Sequence, residues 1–416
     1  MKSFPTTNLS GLARLGASVG AALLQRGGDP GQAINEWLRQ RAASGEGIVL
    51  NLGFKKVLLV TGPDLSAHVL EPQPRVDGFA AGELKKKGMA FLAPNALTIS
   101  NGDEWARRRV YNETVLGTGG PHPDREAFLD EVNKGFATPV ASTAEIRERM
   151  GLVMRGVVFG SGAPAGLPDD MDELMSVVQS PVKRTLFGWR YIGSKNRLYE
   201  TLRRQWDEAS DRSLVAHARR LGGSASDDNV QQLPHWMFTF TGSGTDLLTR
   251  TLAMVGSRPD VASKVADEIA ATGSLDEPSA IDRLVYLEAC LRETGRLFPP
   301  VTRTFHVAPV GDKFDGRAIP PGMEIVHYFP YQHRDTTVDP TANEFRPERW
   351  ADEAAIPSSY LFLGGARSCP GEDLIVFVCK SALAQLIGHG ISARAPALAT
   401  DPLPVSFPRK EVRINA

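Results

Sequence analysis

The segment FLGGARSCPGEDL, Phe362 to Leu374, constrains this chain more than any other. Gly364 and Gly365 admit backbone conformations that other residues avoid. Pro370 lacks an N–H and stiffens the chain, and Gly371 permits a turn shortly after Cys369. The run LIVFVCKSALAQLI that follows reads as a largely apolar helix. The spacing therefore predicts a thiol held in a loop that feeds a helix N-terminus. Backbone N–H groups and the local dipole favour a thiolate there, and Arg367 adds positive charge. Taken bare, such a thiolate is a nucleophile or a metal ligand, whereas an average lone thiol is only a small buried hydrophobe.

Around that loop the order of elements is mostly helical, with small β elements early and late. Residues up to about Arg41 read as helical, including Leu12 to Gln25, a short helix rather than a signal peptide. Gly47 to Val60 reads as a hairpin broken by Gly-Phe-Lys-Lys. Thr61-Gly-Pro-Asp reads as a turn and helix start, and Asn101 to Leu116 as a capped helix. Helical patterns dominate from about Glu145 to Leu291. Short strands, turns and one more helix follow. Strand and helix do not alternate throughout, which argues against a doubly wound sheet. The expected fold class is mainly α with small β-sheets (α+β). A single domain over 1–416 is expected, with a β-containing region at about 45–100 and a C-terminal region at about 280–416.

Composition removes several functions. The 416 residues carry a formal net charge of -1, so no nucleic-acid partner is expected. Three cysteines, Cys290, Cys369 and Cys379, are too few for a disulfide scaffold or a CxxC zinc site. Their sparse use suits a reducing compartment, and the cytoplasm is the expected location. No apolar run is long enough to span a bilayer.

FLGGARSCPG resembles the heme-binding loop of the cytochrome P-450 superfamily, Phe-x-x-Gly-x-Arg-x-Cys-x-Gly. Phe362, Gly365, Arg367, Cys369 and Gly371 match every fixed position. The resemblance implies a P-450-like fold around one heme b, with Cys369 as the axial thiolate on its iron. It implies Arg367 against a heme propionate and Phe362 beside the thiolate, with N–H groups around Gly371 and the other glycines left to tune the sulfur. Glu293 and Arg296 of CLRETGRLFPP, bare, would be a surface ion pair. With Arg349 of FRPERW they resemble the family's buried structural triad. Trp105 and Arg109 of WARRR, bare, would anchor a charged surface helix; they resemble the family's propionate-binding pair. Arg107 and Arg108 are expected to face solvent and to help dock an acidic redox partner. Arg303 falls close to a further propionate contact of the family.

The stretch His235 to Asp260 is an apolar helix interrupted by TGSGT, and mid-helix glycines demand a reason. The family bends its longest helix over the oxygen-binding face. Gly242 and Thr245 match its glycine and threonine, and Thr241 replaces a small residue. Gly244 stands where the usual acid would be, Asp246 comes two residues too late, and Ser243 is a second candidate hydroxyl. The catalytic candidates implied are thus Thr245, Ser243, Gly242 and Gly244. The missing side chain at Gly244 is expected to leave room for a water. Lys85-Lys86-Lys87 reads as a solvated face, and Cys290 and Cys379 as core thiols. His306 and His333 are poor metal candidates, with no second ligand nearby in sequence.

The function implied is a monooxygenase. It would use O2 and external electrons to hydroxylate a small lipophilic secondary metabolite, a terpenoid or polyketide. The chain shows no flavin or Fe–S module, so a ferredoxin with its ferredoxin reductase, or a flavodoxin, would deliver electrons. One alternative is a peroxygenase, isomerase or coupling enzyme with atypical proton delivery. Others are a non-enzymatic heme-binding sensor and a heme-free hydrolase with Cys369 as nucleophile.

Overall fold

The computed structural model of the chain describes residues 3–8, 29–42, 46–53, 55–70, 79–160, 162, 167–180, 182–351 and 361–415. The helix expected over Leu12 to Gln25 lies outside them. The principal helices are α1 (Pro30–Ala42), α2 (Pro63–Leu70), α3 (Glu83–Met89), α4 (Gly102–Leu116), α5 (Arg125–Gly135), α6 (Thr143–Phe159) and α7 (Leu167–Gln179). They continue with α8 (Ile192–Glu208), α9 (Leu214–Arg220), α10 (Leu233–Thr239), α11 (Thr245–Ser257), α12 (Pro259–Thr272), α13 (Val285–Leu297) and α14 (Glu372–Gly388). Strands are few and short, as the α+β reading expects. The chain divides into two compact units.

The first unit comprises Met1–Lys85, Arg292–Cys369 and Ala395–Val412. Its sheet joins β1 (Thr6–Asn8), β2 (Gly47–Asn51), β3 (Lys56–Val60), β4 (Ala80–Ala81), β5 (Arg303–Val307) and β8 (Glu324–Tyr328) in the order β1-β2-β3-β8-β5-β4. β6 (Asp312–Phe314) and β7 (Arg317–Ile319) form a separate hairpin. The expected hairpin is present: β2 and β3 pair antiparallel, with Val49 opposite Leu58. β3 then pairs parallel with β8, Leu58 opposite Ile325. Alternation along the strands sorts the two faces. Leu58, Val60 and Ile325 bury against Leu65 and Val69 of α2. Leu59, Leu50 and Val326 pack with Leu38 and Trp37 of α1. Pro63 opens α2, where a missing N–H costs nothing.

The triad inferred from motif resemblance assembles inside this unit. Glu293, on α13, is fully buried. Its carboxylate accepts Arg296 Nη2 at 2.8 Å and Nε at 2.9 Å, Arg349 Nε at 2.9 Å, the Arg346 N–H at 3.0 Å and Trp350 Nε1 at 2.9 Å. Arg349 Nη1 also pairs with Asp339 at 2.6 Å. Arg296 Nη1 donates to the carbonyls of His333 and Ala342. Burial pushes the Glu293 carboxyl up, but the donors of Arg296, Arg349 and Arg346 outweigh it and hold it below the ordinary value. The bare expectation of a surface pair is replaced by a buried clamp.

The second unit comprises Lys86–Leu291, Pro370–Arg394 and Arg413–Ala416. α5 packs on α6 and α14, and α11 packs on β9 (Ser392–Arg394), which pairs with β10 (Arg413–Asn415). Gly256 permits the last approach: a Cβ there would stand 2.3 Å from the Ala393 carbonyl oxygen. α10 and α11 are one continuous helical run, joined through a π-turn at Phe240–Gly244. The predicted interruption at TGSGT is thus a widening of the helix and not a break.

Glu293→Ala should strip the clamp of its only carboxylate shared by Arg296 and Arg349. About 3–5 kcal/mol of stability should be lost, with little folded protein recovered. Calorimetry of the variant would refute this by showing a parental melting temperature. Acid should also unfold the first unit. Burial pushes His327 and His333 down to about 3 from an ordinary 6.5. Their neutral forms stabilise the fold fully above pH 6.5, and that contribution is lost as pH falls toward the folded values. The loss should approach about 1.4 kcal/mol per group per pH unit. Denaturant midpoints that are equal at pH 7 and pH 5 would contradict it.

Candidate active site

The cysteine loop belongs to the first unit. Leu363 and Gly365 both hold positive φ, 60° and 69°, a conformation that a leucine adopts only under constraint. A single 3-10 turn, Gly365–Arg367, follows. The Ser368 N–H donates to the Gly365 carbonyl at 3.1 Å, and the Cys369 N–H donates to the Phe362 carbonyl at 2.7 Å. The loop is therefore tied at both ends, and Cys369 stands three residues before α14, as the sequence predicts. Its side chain is partly accessible. The other two thiols are fully buried. Cys379 donates to the Gly244 carbonyl at 3.5 Å, and burial pushes it up to about 12. Among the three cysteines, Cys369 alone can meet a ligand.

The surroundings of Cys369 in this unit are basic. Lys85, on α3, is pushed down to about 8 by burial and by Arg367, against the opposing effect of Cys369. It is half-buried, whereas Lys87 is exposed, so the lysine run is not one solvated face. His306 lies on β5 beside His327, with ring centroids 5.2 Å apart. His306 is buried, and neither of its ring nitrogens has a hydrogen-bond partner. Burial, then His327, Lys85 and Arg367, pushes it well below its ordinary value. Arg303 opens the same strand but is exposed, while Thr304 and His306 point to the buried face. The sequence offered Arg303 as a propionate contact, His306 only as a poor metal candidate and Lys85 as part of a solvated face. The alternation of RTFHV, with Thr304 and His306 on one face, was the available signal.

In the second unit the π-turn places Thr241 and Thr245 four residues apart, both buried. A helical threonine often bonds the carbonyl one turn back. Neither Oγ1 has a partner here. Ser243 and Gly242 are partly exposed. Gly244 is not: a Cβ would come within 2.6 Å of Ile375 Cδ1 and 3.8 Å of Met150 Cε. The expected room for a water is therefore filled by hydrocarbon. Asp246 turns away to Arg147 at 3.1 Å and Arg250 at 2.9 Å. Gly371 lies against Phe240, whose Cζ would be 3.0 Å from an added Cβ.

Trp105 and Arg109 are both buried on α4, and Arg109 Nε pairs with Glu113 at 2.6 Å. Arg107 is exposed and pairs with Asp228. Arg108 does not face solvent as expected. It is buried, donating to Ser100 Oγ at 2.7 Å and to Asp228 at 2.7 Å. Its role is to fasten the start of α4 rather than to meet a partner.

The cysteine loop and its surroundings in the first unit fit a heme: they offer one accessible thiol for iron and basic neighbours suited to carboxylates.

The family model described as Cytochrome P-450 matches residues 169–389, slightly more than half of the chain. The chain is similar to cyclooctat-9-en-7-ol 5-monooxygenase of Streptomyces melanosporofaciens, 24% identical over 82% of this chain and 81% of that protein. It is similar to cyclooctatin synthase of the same organism, 23% identical over 89% of this chain and 88% of that protein. Cytokinin hydroxylase of Arabidopsis thaliana is 24% identical over 82% of this chain and 75% of its own length. No described helix is long and apolar enough to cross a membrane. The protein belongs to the cytochrome P-450 family, a monooxygenase whose cofactor is heme b ligated by a cysteine thiolate.

Proposed function

We propose that the chain acts as one heme domain over 1–416 and oxidises a small lipophilic secondary metabolite, most simply by hydroxylation. The observation that carries the reading is the tied loop around Cys369, the one accessible thiol of three. The names of the two Streptomyces relatives specify cyclooctat-9-en-7-ol and cyclooctatin, which favours a cyclic terpenoid over a polyketide. The cytoplasm is the proposed location. A ferredoxin with its reductase, or a flavodoxin, is the proposed electron donor.

When bound, the heme supplies dioxygen activation and oxygen-atom transfer. The chain's own residues do the rest. Cys369 Sγ would ligate the heme iron, and the loop hydrogen bonds tie the backbone that carries it. Phe362 flanks the thiolate, and Gly371 keeps the chain close to Phe240. Arg367, Trp105 and Arg109 would be the residues that hold the propionates, with Lys85, His306 and Arg303 as further donors to them. The hydroxyl of Thr245 can donate and accept a proton. Thr241 stands one turn before it, and Ser243 offers a third hydroxyl. Gly242 and Gly244 permit the π-turn that frees the threonines from the backbone. Gly244, sealed by Ile375, brings neither an acid nor a water. That packing favours one second reading, a peroxygenase, isomerase or coupling enzyme with little demand for relayed protons.

Cys369→Ser should abolish the red-shifted Soret band that the reduced carbon monoxide complex of a thiolate heme shows. A variant that kept that band would redirect ligation to another residue. Thr245→Ala should lower product formed per nicotinamide oxidised by about a hundredfold, the low end of general acid–base effects, with electrons diverted to peroxide. Unchanged rate and coupling would remove Thr245 from the relay. Rapid turnover with peroxide alone, without the electron chain, would establish the second reading.

A further inference from the structure

Within the second unit, α4 ends in a turn that reaches the start of α14. Gly117 caps the helix in the left-handed conformation, φ 72°, and its N–H returns to the Glu113 carbonyl. The Thr118 N–H bonds the same carbonyl at 3.0 Å, and Gly119 also holds a positive φ, 87°. Other residues would be strained at those two angles. The buried His122 braces the turn: a Cβ on Gly117 would stand 3.1 Å from its ring. His122 Nε2 donates to the Val115 carbonyl at 3.0 Å, and Nδ1 accepts the Asp124 N–H at 3.0 Å. Both ring nitrogens are thus satisfied, and the imidazole serves to hold the shape of the turn.

Three points at the entry of α14 meet this turn. Thr118 Oγ1 donates to the Pro370 carbonyl at 2.6 Å. Gly371 faces Leu116, whose Cδ1 would be 3.7 Å from an added Cβ. The Gly119 N–H donates to Asp373 Oδ2 at 2.7 Å. Proline has no N–H, so the carbonyl is the one polar group that Pro370 offers, and Thr118 engages it. The peptide group from Pro370 to Gly371 is planar, so fixing its oxygen also fixes the N–H on its far side. A donor at the oxygen polarises that N–H as well. Pro370 is bonded to Cys369, and Gly371 carries the first N–H after that of the cysteine. Both hydrogen bonds lie at the surface. Surface hydrogen bonds contribute little to folding, because water replaces them when they are lost. An effect on the thiolate is therefore separable from an effect on stability.

We infer that Thr118 is a positioning residue for the axial thiolate, supported by Asp373. The Thr118 hydroxyl orients and polarises the Pro370–Gly371 peptide, and the Gly119–Asp373 bond keeps that hydroxyl in place. A stronger N–H dipole beside a ligating sulfur draws charge from it and raises the reduction potential of the iron. The inference rests on Cys369 as the axial ligand.

The test uses the heme-loaded full chain and two readouts. One is the lifetime of the red-shifted Soret band in the reduced carbon monoxide complex; the other is the ferric–ferrous reduction potential. Thr118→Val keeps the shape of the side chain and removes the hydroxyl. It should lower the potential and shorten the lifetime of the band by about tenfold, the low end of what outer-shell partners of a metal ligand contribute. Its melting temperature should match the parent. Thr118→Ser should restore both readouts, and Asp373→Ala should shorten the lifetime by less than Thr118→Val does. Parental lifetime and potential in Thr118→Val would overturn the inference. So would a fall in melting temperature that accounts for the whole effect, or a Thr118→Ser variant that behaves like Thr118→Val. A parent with no red-shifted band would instead overturn ligation by Cys369 itself, which separates the two failures.

Discussion

A carboxylate removed from water is tolerable only if its charge is answered nearby, and the first unit is organised around one such answer. Glu293 accepts five hydrogen bonds from four residues. Two donors come from its own helix turn and three from the segment 346–350. Because the carboxylate cannot be left partly satisfied, α13 and that segment have one permitted relation. The carbonyls of His333 and Ala342 are drawn in through Arg296. The clamp thus fixes the segment 346–350 against α13.

Local features were legible in the sequence, and partners remote in sequence were not. The loop at Phe362 to Gly371 could be read because glycine spacing and a following apolar helix are local signals, and the structure ties that loop through its own backbone. The hairpin at Gly47 to Val60 was legible for the same reason. That β3 pairs in parallel with β8 was not, since no periodicity announces a neighbour brought from the far end of the chain. Arg108 was misread because three adjacent arginines leave the helical phase open, and its partner Asp228 lies 120 positions on. The lost acid at Gly244 was visible; Ile375 filling the space was not. His306 was hidden by the more conspicuous Arg303, three residues earlier and on the opposite face of β5.

The π-turn links helix geometry to chemistry. In a regular helix a threonine often bonds the carbonyl one turn back. By widening at Phe240–Gly244, the run leaves Thr241 and Thr245 buried without partners, at a cost that ordinary folding would not retain. Functional sites are where such rule-breaking collects. The glycines in this turn are part of that arrangement: they supply the backbone tolerance, and one of them admits the flank of α14.

The interleaving of the two units has a consequence for how the protein is made. The sheet of the first unit needs β8, and the core of the second needs α14 and β9. All of these lie downstream of the early hairpin and most of the helices. A ribosome releases the strands of the early hairpin and most helices long before their packing partners exist. Neither unit can close on itself during translation, and the early apolar faces must wait uncovered. The residue that would capture the cofactor, Cys369, also emerges after the early hairpin and most of the helices. Loading and final compaction therefore belong to the same moment, once β8, α14 and β9 have emerged.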